Sequence, residues 1–282
     1  MDTKWLGAAV VVLAFAGCGD PDADRLSKAA ETGDTAATEA LIESGVEVDA
    51  EDGGGETPLH KAARAGQVKT AALLMREGAD ANAKDDAGET PMHEAAKNDD
   101  EYLIGLLCNR GREDRGTWSL TTRADIGARD NAGRTPLHVA AGLGHAKVVS
   151  DLVWRLADED ARDRDGNGPL HFAARNGHTA CVKALLPLAP DYETAKARGF
   201  YGMMSAITSG APVNARNKDG DTPLHFAARN GHKATVAMLL GEAADVTAKN
   251  NAGKTPLDVA TDPDVRSLLK QHRRPTKWGK LR

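Results

Sequence analysis

Histidine is the residue type of this chain best suited to bind a metal ion or transfer protons, because imidazole titrates near neutral pH. The chain contains nine histidines. Eight of them recur in two fixed contexts, His60, His93, His138, His171 and His225 after Pro-Leu or Pro-Met, and His145, His178 and His232 beyond a glycine. Residues that recur in this way are spread along the chain, whereas one ion needs ligands near ~2.1 Å. We therefore expect structural histidines, with no metal site and no cofactor.

The cysteines and the rest of the sequence also show no catalytic pattern. Cys18, Cys108 and Cys181 have neither a Cys-x-x-Cys motif nor another metal-binding spacing. The phosphate-binding loop, the Gly-x-Ser-x-Gly elbow and the His-Glu-x-x-His motif are all missing from the sequence. We expect Cys108 and Cys181 to be small buried hydrophobic residues. The sequence indicates that the chain is not an enzyme.

The overall charge argues against a nucleic-acid partner. The chain has a net charge of −5 and a pI of about 6.0, whereas nucleic-acid binding relies on Lys and Arg that neutralise phosphates. Aromatic residues make up 4% of the chain, which also disfavours an aromatic-lined pocket for a small molecule.

The histidines are positioned by a repeated stretch, which is clearest from Thr222 to His232. It reads Thr-Pro-Leu-His-Phe-Ala-Ala-Arg-Asn-Gly-His and leads into an apolar run that ends at Leu240. Copies begin at positions 57, 90, 135, 168, 222 and 255, with spacings of 33, 45, 33, 54 and 33 residues. The two long spacings are therefore 33 residues plus inserts of 12 and 21 residues, near 112–123 and 189–209.

Each copy predicts a pair of helices. The first helix begins at Thr, which can cap it, and Pro, which suits its first turn. A glycine recurs at the end of the first helix and predicts a left-handed conformation there. These glycines are Gly33, Gly66, Gly144, Gly177 and Gly231. In the copy that begins at Thr90, Asp99 replaces this glycine, and we expect it to adopt the same conformation, which Asp tolerates. Glu94 at a usually apolar place and Gly105 within the second helix make this copy the least stable.

The string Thr-Pro-Leu-His-x-Ala resembles the signature of the ankyrin repeat, whose period is about 33 residues. The resemblance implies an all-α solenoid of helix-turn-helix repeats with short β-hairpin loops. About seven repeats would occupy residues 24–273, followed by a basic tail at 274–282. The resemblance also implies that each signature histidine hydrogen-bonds its helix to a hairpin loop.

The N-terminal stretch resembles the signal peptide of a bacterial lipoprotein. Residues 5–17 carry no charge, and such a run is too short to span a membrane comfortably but typical of a signal peptide, here at 1–17. Ala16-Gly17-Cys18 resembles a lipobox, which implies a lipid on Cys18 and a linker at 18–23. The expected location is the bacterial cell envelope, lipid-anchored and facing the periplasm, with Gly19 favouring the outer membrane. A secreted protein is the alternative.

The resemblance further implies that partner proteins bind the hairpin tips and the exposed side of the first helices. The candidate residues at these positions are Asp86, Glu89, Lys97, Asn98, Asn131, Arg134, Leu143, Arg164, Asn167, Lys218 and Asp221, to which the inserts add Trp118, Phe200 and Tyr201. The pairs Arg175-Asn176 and Arg229-Asn230 occupy equivalent positions but rank lower, because their identity is typical of a repeat consensus.

The expected function is a membrane-tethered protein–protein interaction scaffold that is monomeric and has no catalytic activity. One alternative is an immunity-type or inhibitor lipoprotein that sequesters a specific toxic or enzymatic partner. Another is an enzyme with its site in the inserts, although neither insert contains a histidine or a cysteine.

Overall fold

The computed structural model describes residues 21–108, 123–186 and 211–273. Within those ranges the chain forms seven pairs of helices. The first helices of the pairs are α1 (Pro21–Thr32), α3 (Pro58–Arg64), α5 (Pro91–Lys97), α7 (Pro136–Leu143), α9 (Pro169–Asn176), α11 (Pro223–Arg229) and α13 (Pro256–Val259). The second helices are α2 (Thr35–Glu43), α4 (Val68–Arg76), α6 (Glu101–Cys108), α8 (Ala146–Trp154), α10 (Thr179–Leu185), α12 (Lys233–Gly241) and α14 (Pro263–Arg273).

The pairs stack into two layers. Each first helix packs against the first helix of the next pair, and each second helix against the next second helix. One continuous apolar core runs between the layers from Ala30 to Leu269, and a small cluster around Leu26 and Leu41 closes the N-terminal end. The fold is therefore the all-helical repeat solenoid that the sequence predicts. Helix α1 begins at Pro21, so the residues from Pro21 to Ala23 belong to it and not to the predicted linker.

The first helices begin as predicted from Thr-Pro. Thr57, Thr90, Thr135, Thr222 and Thr255 each have an extended backbone at the N-cap, and the following proline lies in the first turn. Proline suits this place because the N–H groups of the first turn have no partner within the helix.

The ends of the first helices confirm the glycine prediction and correct the one made for Asp99. Gly144 and Gly177 end their helices with φ of 88° and 76°. In the third pair Asn98 leaves the helix in an extended conformation instead, with φ −98° and ψ 144°, and Asp99 does not adopt a positive φ. The prediction for Asp99 was therefore wrong, because the chain turns one residue earlier.

The loops between pairs are tight reversals, and residues 21–108, 123–186 and 211–273 contain no β-strand. Each loop closes on itself, as where the N–H of Asp130 donates to the carbonyl of Arg134 at 3.0 Å. Neighbouring loop tips are joined as well, because the N–H of Asn131 donates to the carbonyl of Ala87 at 2.9 Å. This bond recurs along the stack and holds the tips in one row.

Both inserts leave the stack continuous. Helices on either side of each insert pack as uninterrupted neighbours do. The N–H of Ala124 donates to the carbonyl of Leu107 at 3.1 Å, in the same way as Ala157 donates to Leu152 at 3.0 Å in an uninterrupted pair. The insert residues Trp118, Phe200 and Tyr201, and also Cys18, lie outside the described residues. None of the described helices is long and apolar enough to span a membrane.

Candidate protein-interaction surface

The signature histidines connect neighbouring repeats and are buried. In the fourth repeat the N–H of Thr135 donates to Nδ1 of His138 at 3.1 Å, while Nε2 of His138 lies 3.0 Å from the carbonyl of Asn167 in the next loop. His60, His93, His171 and His225 repeat this arrangement. Because Nδ1 accepts a main-chain N–H, Nε2 must carry the proton and donate it, so the ring is neutral.

Burial enforces this neutral form. It lowers the pKa of His138 and of His171 from 6.5 to about 4, and it also lowers the pKa of His93 and His225. An imidazole that is buried, neutral and fully hydrogen-bonded cannot bind a partner. The histidines therefore have the structural role that the sequence predicts, and they hold the loops against the first helices.

The contact surface that the sequence predicts is the helix–loop face, by which we mean the side formed by the first helices and the hairpin loops. At the loop tips the structure exposes Asp86, Asn131, Arg164 and Lys218. The amide of Asn131 also donates to the carbonyl of Asp86 at 2.9 Å. On the first helices Leu143 is 51% exposed. These five candidates lie where a partner could reach them.

Two of the predicted contact residues are buried carboxylates. Glu89 is covered by Lys97 at 2.6 Å and Arg134 at 3.5 Å. Asp221 accepts from Arg229 at 2.7 Å. In each case the cation lies outside and the carboxylate inside, so it is the cation that meets solvent. Burial opposes the ionisation of Asp221, but hydrogen bonds from Asn250 and Arg229 bring its pKa below the ordinary value.

Asn98 and Asn167 are half-buried and serve the stack. The amide of Asn98 donates to the carbonyl of Ala63 at 2.9 Å, at the end of the preceding first helix. Asn176 and Asn230 cap the preceding first helix in the same manner. The amide of Asn217 in turn donates to the side-chain oxygen of Asn167 at 2.9 Å. Asn98, Asn176 and Asn230 thus satisfy helix-end carbonyls that would otherwise lack partners, whereas the bond between Asn217 and Asn167 joins neighbouring loops.

An ion-pair network that the sequence analysis missed surrounds Glu94. This carboxylate is 0% exposed, and it accepts from Nε of Arg64 at 3.0 Å and from Nζ of Lys97 at 2.8 Å. Burial alone would raise the pKa of Glu94, but hydrogen bonds from the two cations keep it below the ordinary value. The charge at this usually apolar place is therefore compensated, and Arg64 joins Lys97 on the helix–loop face.

The same network contains the described acidic groups that come closest to a metal site. Carboxylate oxygens of Glu56, Asp85 and Glu94 lie within 4.8 Å of one another. However, Arg64 contacts both Glu56 and Glu94, and Asp85 accepts two main-chain N–H groups of its own loop. Because cations and loop donors already engage these oxygens, we assign the cluster to the stacking of repeats.

Comparison with known proteins agrees with this architecture. A family model described as ankyrin repeats (3 copies) matches residues 26–117, 106–197 and 195–276. The chain belongs to the ankyrin-repeat family. Its fold is the ankyrin-repeat solenoid, and membership indicates a protein–protein interaction domain of a family that is typically non-enzymatic.

The curated ankyrin-repeat relatives match only over segments. The chain is 39% identical over 67 residues to ankyrin repeat and SOCS box protein 11 of Danio rerio, covering 24% of this chain and 22% of that protein. It is 37% identical over 84 residues to the human ankyrin repeat and SOCS box protein 5, covering 29% and 25%. It thus spans about a quarter of the length of these relatives.

Solved ankyrin-repeat domains match over nearly the whole chain. The ankyrin repeat domain of Bcl-3 superimposes with a TM-score of 0.66 at 29% identity, covering 87% of this chain and 97% of that domain. The human ASB11 ankyrin repeat domain gives a TM-score of 0.68 at 24% identity, covering 89% and 98%. This second likeness shows the fold alone. The feature that this chain shares with all of these proteins is the ankyrin repeat.

Proposed function

We propose that this ankyrin-repeat chain is a non-catalytic, monomeric scaffold that binds another protein on its helix–loop face and is held at a membrane by a lipid on Cys18. The observation that carries the binding proposal is that some side chains of this face are engaged in contacts between repeats while others are exposed. Its signature histidines, Asn98 and the buried carboxylate of Asp221 are engaged in the contacts of the stack, whereas Leu143 and Arg229 present exposed side chains. The exposed side chains of this face are available to a partner.

The tether rests on the N-terminal sequence. An uncharged run at 5–17 leads into Ala16-Gly17-Cys18, an order that suits signal-peptide export followed by acylation. Helix α1 begins at Pro21, so no more than about 10 Å of chain separates Cys18 from the array. We propose that the array lies against the periplasmic side of the membrane, with the outer membrane favoured by Gly19.

A photo-cross-linking amino acid at position 143 tests the binding proposal in living cells of the native host. We expect a discrete protein adduct after irradiation, because Leu143 is exposed on the helix–loop face. The same amino acid at position 183 is the control, since Lys183 is exposed on second helix α10. Equal adducts from both positions, or none from position 143, would contradict the proposal.

The tether has a separate test. Cys18→Ser should move the protein from the membrane fraction to the soluble fraction and abolish labelling by radioactive palmitate. Unchanged fractionation of this variant would remove the lipid anchor from the proposal and leave the binding function untouched. Light scattering of the purified array measures its molar mass, and we expect the mass of one chain.

A further inference from the structure

Cations recur at one register position of the first helices. Arg64, Lys97, Arg175 and Arg229 stand at equivalent places in the second, third, fifth and sixth repeats, and we call these four residues the cation column. Because successive first helices pack side by side, the column runs along the helix–loop face. Neighbouring helices lie about 10 Å apart, so adjacent repeats present one cation per ~10 Å.

Two cations of this column, Lys97 and Arg229, point outward from carboxylates that lie beneath them. The side chain of Arg229 is 40% exposed while that of its partner Asp221 is 6% exposed. Lys97 is 35% exposed over Glu94 at 0%. Arg175 is exposed and makes no ion pair with any residue in the described part of the chain. The inner carboxylates therefore orient Lys97 and Arg229, and the guanidinium ions of Arg175 and Arg229 keep N–H groups that no carboxylate occupies.

The column is interrupted by an apolar gap in the fourth repeat. Gly142 occupies the register position there, and the ring of Phe172 lies 3.4 Å from the place that its Cβ would take. Leu143 follows and is half exposed. We define Gly142, Leu143 and Phe172 as the apolar gap. A side chain larger than glycine at position 142 would contact Phe172, so this glycine keeps the ring edge accessible.

We propose that the helix–loop face binds an extended acidic segment of a partner protein, with an apolar side chain in the apolar gap and carboxylates against the cation column on both sides. This inference rests on the proposed function and specifies the chemistry of the partner. A polyproline II segment rises about 3.1 Å per residue with three residues per turn, so carboxylates at every third residue lie on one side and match the repeat spacing. Arg binds carboxylates through two parallel hydrogen bonds.

The inner carboxylates also decide against a nucleic acid as the occupant. Glu94 and Asp221 lie directly under the column, and the whole chain has a net charge of −5. A continuous phosphate backbone would meet this negative charge at every step, whereas nucleic-acid binding needs an excess of cations. A peptide with spaced carboxylates and an apolar residue between them places fewer negative charges over these carboxylates than a phosphate backbone does.

Selection of peptides tests the inference. We would select a phage-displayed library of random twelve-residue peptides on the purified full array, since an extended peptide of this length reaches about 40 Å, or four repeats. We expect enrichment of peptides with an aliphatic or aromatic residue flanked by Asp or Glu at intervals of about three residues. Their affinity should fall as sodium chloride is raised from about 50 to about 300 mM, because salt screens exposed charges.

Matched variants locate the bound peptide. Arg175→Glu and Leu143→Asp should each weaken binding of the enriched peptide by about tenfold or more. Lys183→Glu makes the same charge change on a second helix and should alter the affinity by less than about twofold. Both Arg175 and Lys183 are exposed, and retained helical circular dichroism of each variant would exclude unfolding as the cause.

The inference would be overturned by enrichment of neutral or basic peptides, by equal binding of the enriched peptide to Arg175→Glu, or by no enrichment at all. Competition by heparin as strong as that by the free peptide would also overturn it, since the face would then bind any polyanion. The cross-linking experiment at position 143 does not depend on the chemistry of the partner. An adduct there together with a failed selection would retain the binding function and remove only the acidic segment.

Discussion

The main-chain N–H of Ala211 donates to the carbonyl of Leu185 at 2.8 Å, although the second insert lies between them. In an uninterrupted repeat the same bond joins Ala157 to Leu152, five positions away. The bond that closes the end of helix α10 is therefore the same as the bond in a repeat without an insert. Deleting residues 190–210 restores the five-residue spacing. We expect a folded array whose free energy of unfolding is unchanged or higher by about 1.5 kcal/mol, since the shorter loop loses less entropy on closure.

Urea denaturation followed by circular dichroism measures this change. Deleting residues 187–210 instead is the matched control, because one residue cannot bridge Leu185 and Ala211 and the helix-end bond must break. That variant should lose at least about 2 kcal/mol. If the 190–210 deletion were as damaging as the control, the insert would be part of the packing of its repeat.

Leu156 carries backbone strain that glycine would relieve. It has a φ of 67° at the end of helix α8, where the equivalent residue in the second repeat is Gly78 with a φ of 96°. A left-handed conformation costs a residue with a Cβ about 1–2 kcal/mol. The Leu156 side chain is 52% exposed, so little packing would be lost. Leu156→Gly should raise the free energy of unfolding by about 1 kcal/mol. A midpoint of thermal unfolding below that of the unmodified chain would contradict this prediction.

Two glycines with the same backbone conformation should respond differently to alanine. A Cβ on Gly144 would lie 2.7 Å from Nδ1 of His178, whereas a Cβ on Gly66 would meet its nearest atom at 4.0 Å. Gly66→Ala should therefore lose only the conformational term of about 1 kcal/mol. Gly144→Ala must also displace His178, whose Nε2 lies 3.0 Å from the carbonyl of Gly142, and should lose about 2–3 kcal/mol. Equal losses in chemical denaturation would show that His178 adapts freely.

The repeat framework could be predicted because its signals are local. Thr135 and Pro136 begin a helix, and Gly144 ends it, without help from distant residues. The prediction for Asp99 failed because a residue with a Cβ is disfavoured in the left-handed conformation that glycine adopts freely, and the chain leaves the helix at Asn98 with an extended backbone instead. The amide of Asn98 reaches the carbonyl of Ala63 in the preceding repeat, and the extended backbone of Asn98 accompanies this contact.

The exposed residues of the binding surface were less predictable than the helices. Position in the repeat indicated that Glu89 and Asp221 face the partner side, but it did not show that cations cover them. Lys97 and Arg229 reach these carboxylates from a helix turn that lies eight residues further along the chain. Side-chain length and direction decide which member of such a pair meets solvent, and a sequence register does not contain that information.

The two cations around Glu94 should be needed together. Replacing Arg64 and Lys97 with methionine leaves a fully buried carboxylate without its partners. We expect a loss of about 3–5 kcal/mol at pH 7, since an uncompensated buried charge is highly unfavourable. The pKa of Glu94 would then rise above its ordinary value of 4.5, so the loss should shrink as the pH is lowered towards 5.

Adding Glu94→Leu to the double variant is the control. It removes the buried charge and should recover most of the lost free energy, because apolar replacement of a whole buried ion group is often tolerated. Chemical denaturation at pH 7 and pH 5 of the three proteins separates the cases. A triple variant as unstable as the double one would assign the loss to packing of the Arg64 and Lys97 stems.

The neutral histidines should make the stack sensitive to mild acid. The pKa of His138 and His171 is about 4 in the folded chain and 6.5 when it is unfolded. Between these values the unfolded chain binds more protons, so the free energy of unfolding falls as the pH falls. The stability that depends on the neutral rings is complete above pH 6.5 and is lost progressively towards pH 4. Each ring contributes at most about 3–4 kcal/mol over this range.

Chemical denaturation between pH 7.5 and pH 5 measures how the histidines change the free energy of unfolding, separately from the contribution of the carboxylates. The pKa values of Glu94, Asp130 and Asp221 are depressed, and such groups lose their stabilising effect only at lower pH. The variant His138→Gln with His171→Gln should be less stable at pH 7.5, because the bonds to the next loop are weakened. Its free energy of unfolding should nevertheless fall less steeply with acid. A slope as steep as that of the unmodified chain would mean that other groups cause the acid sensitivity.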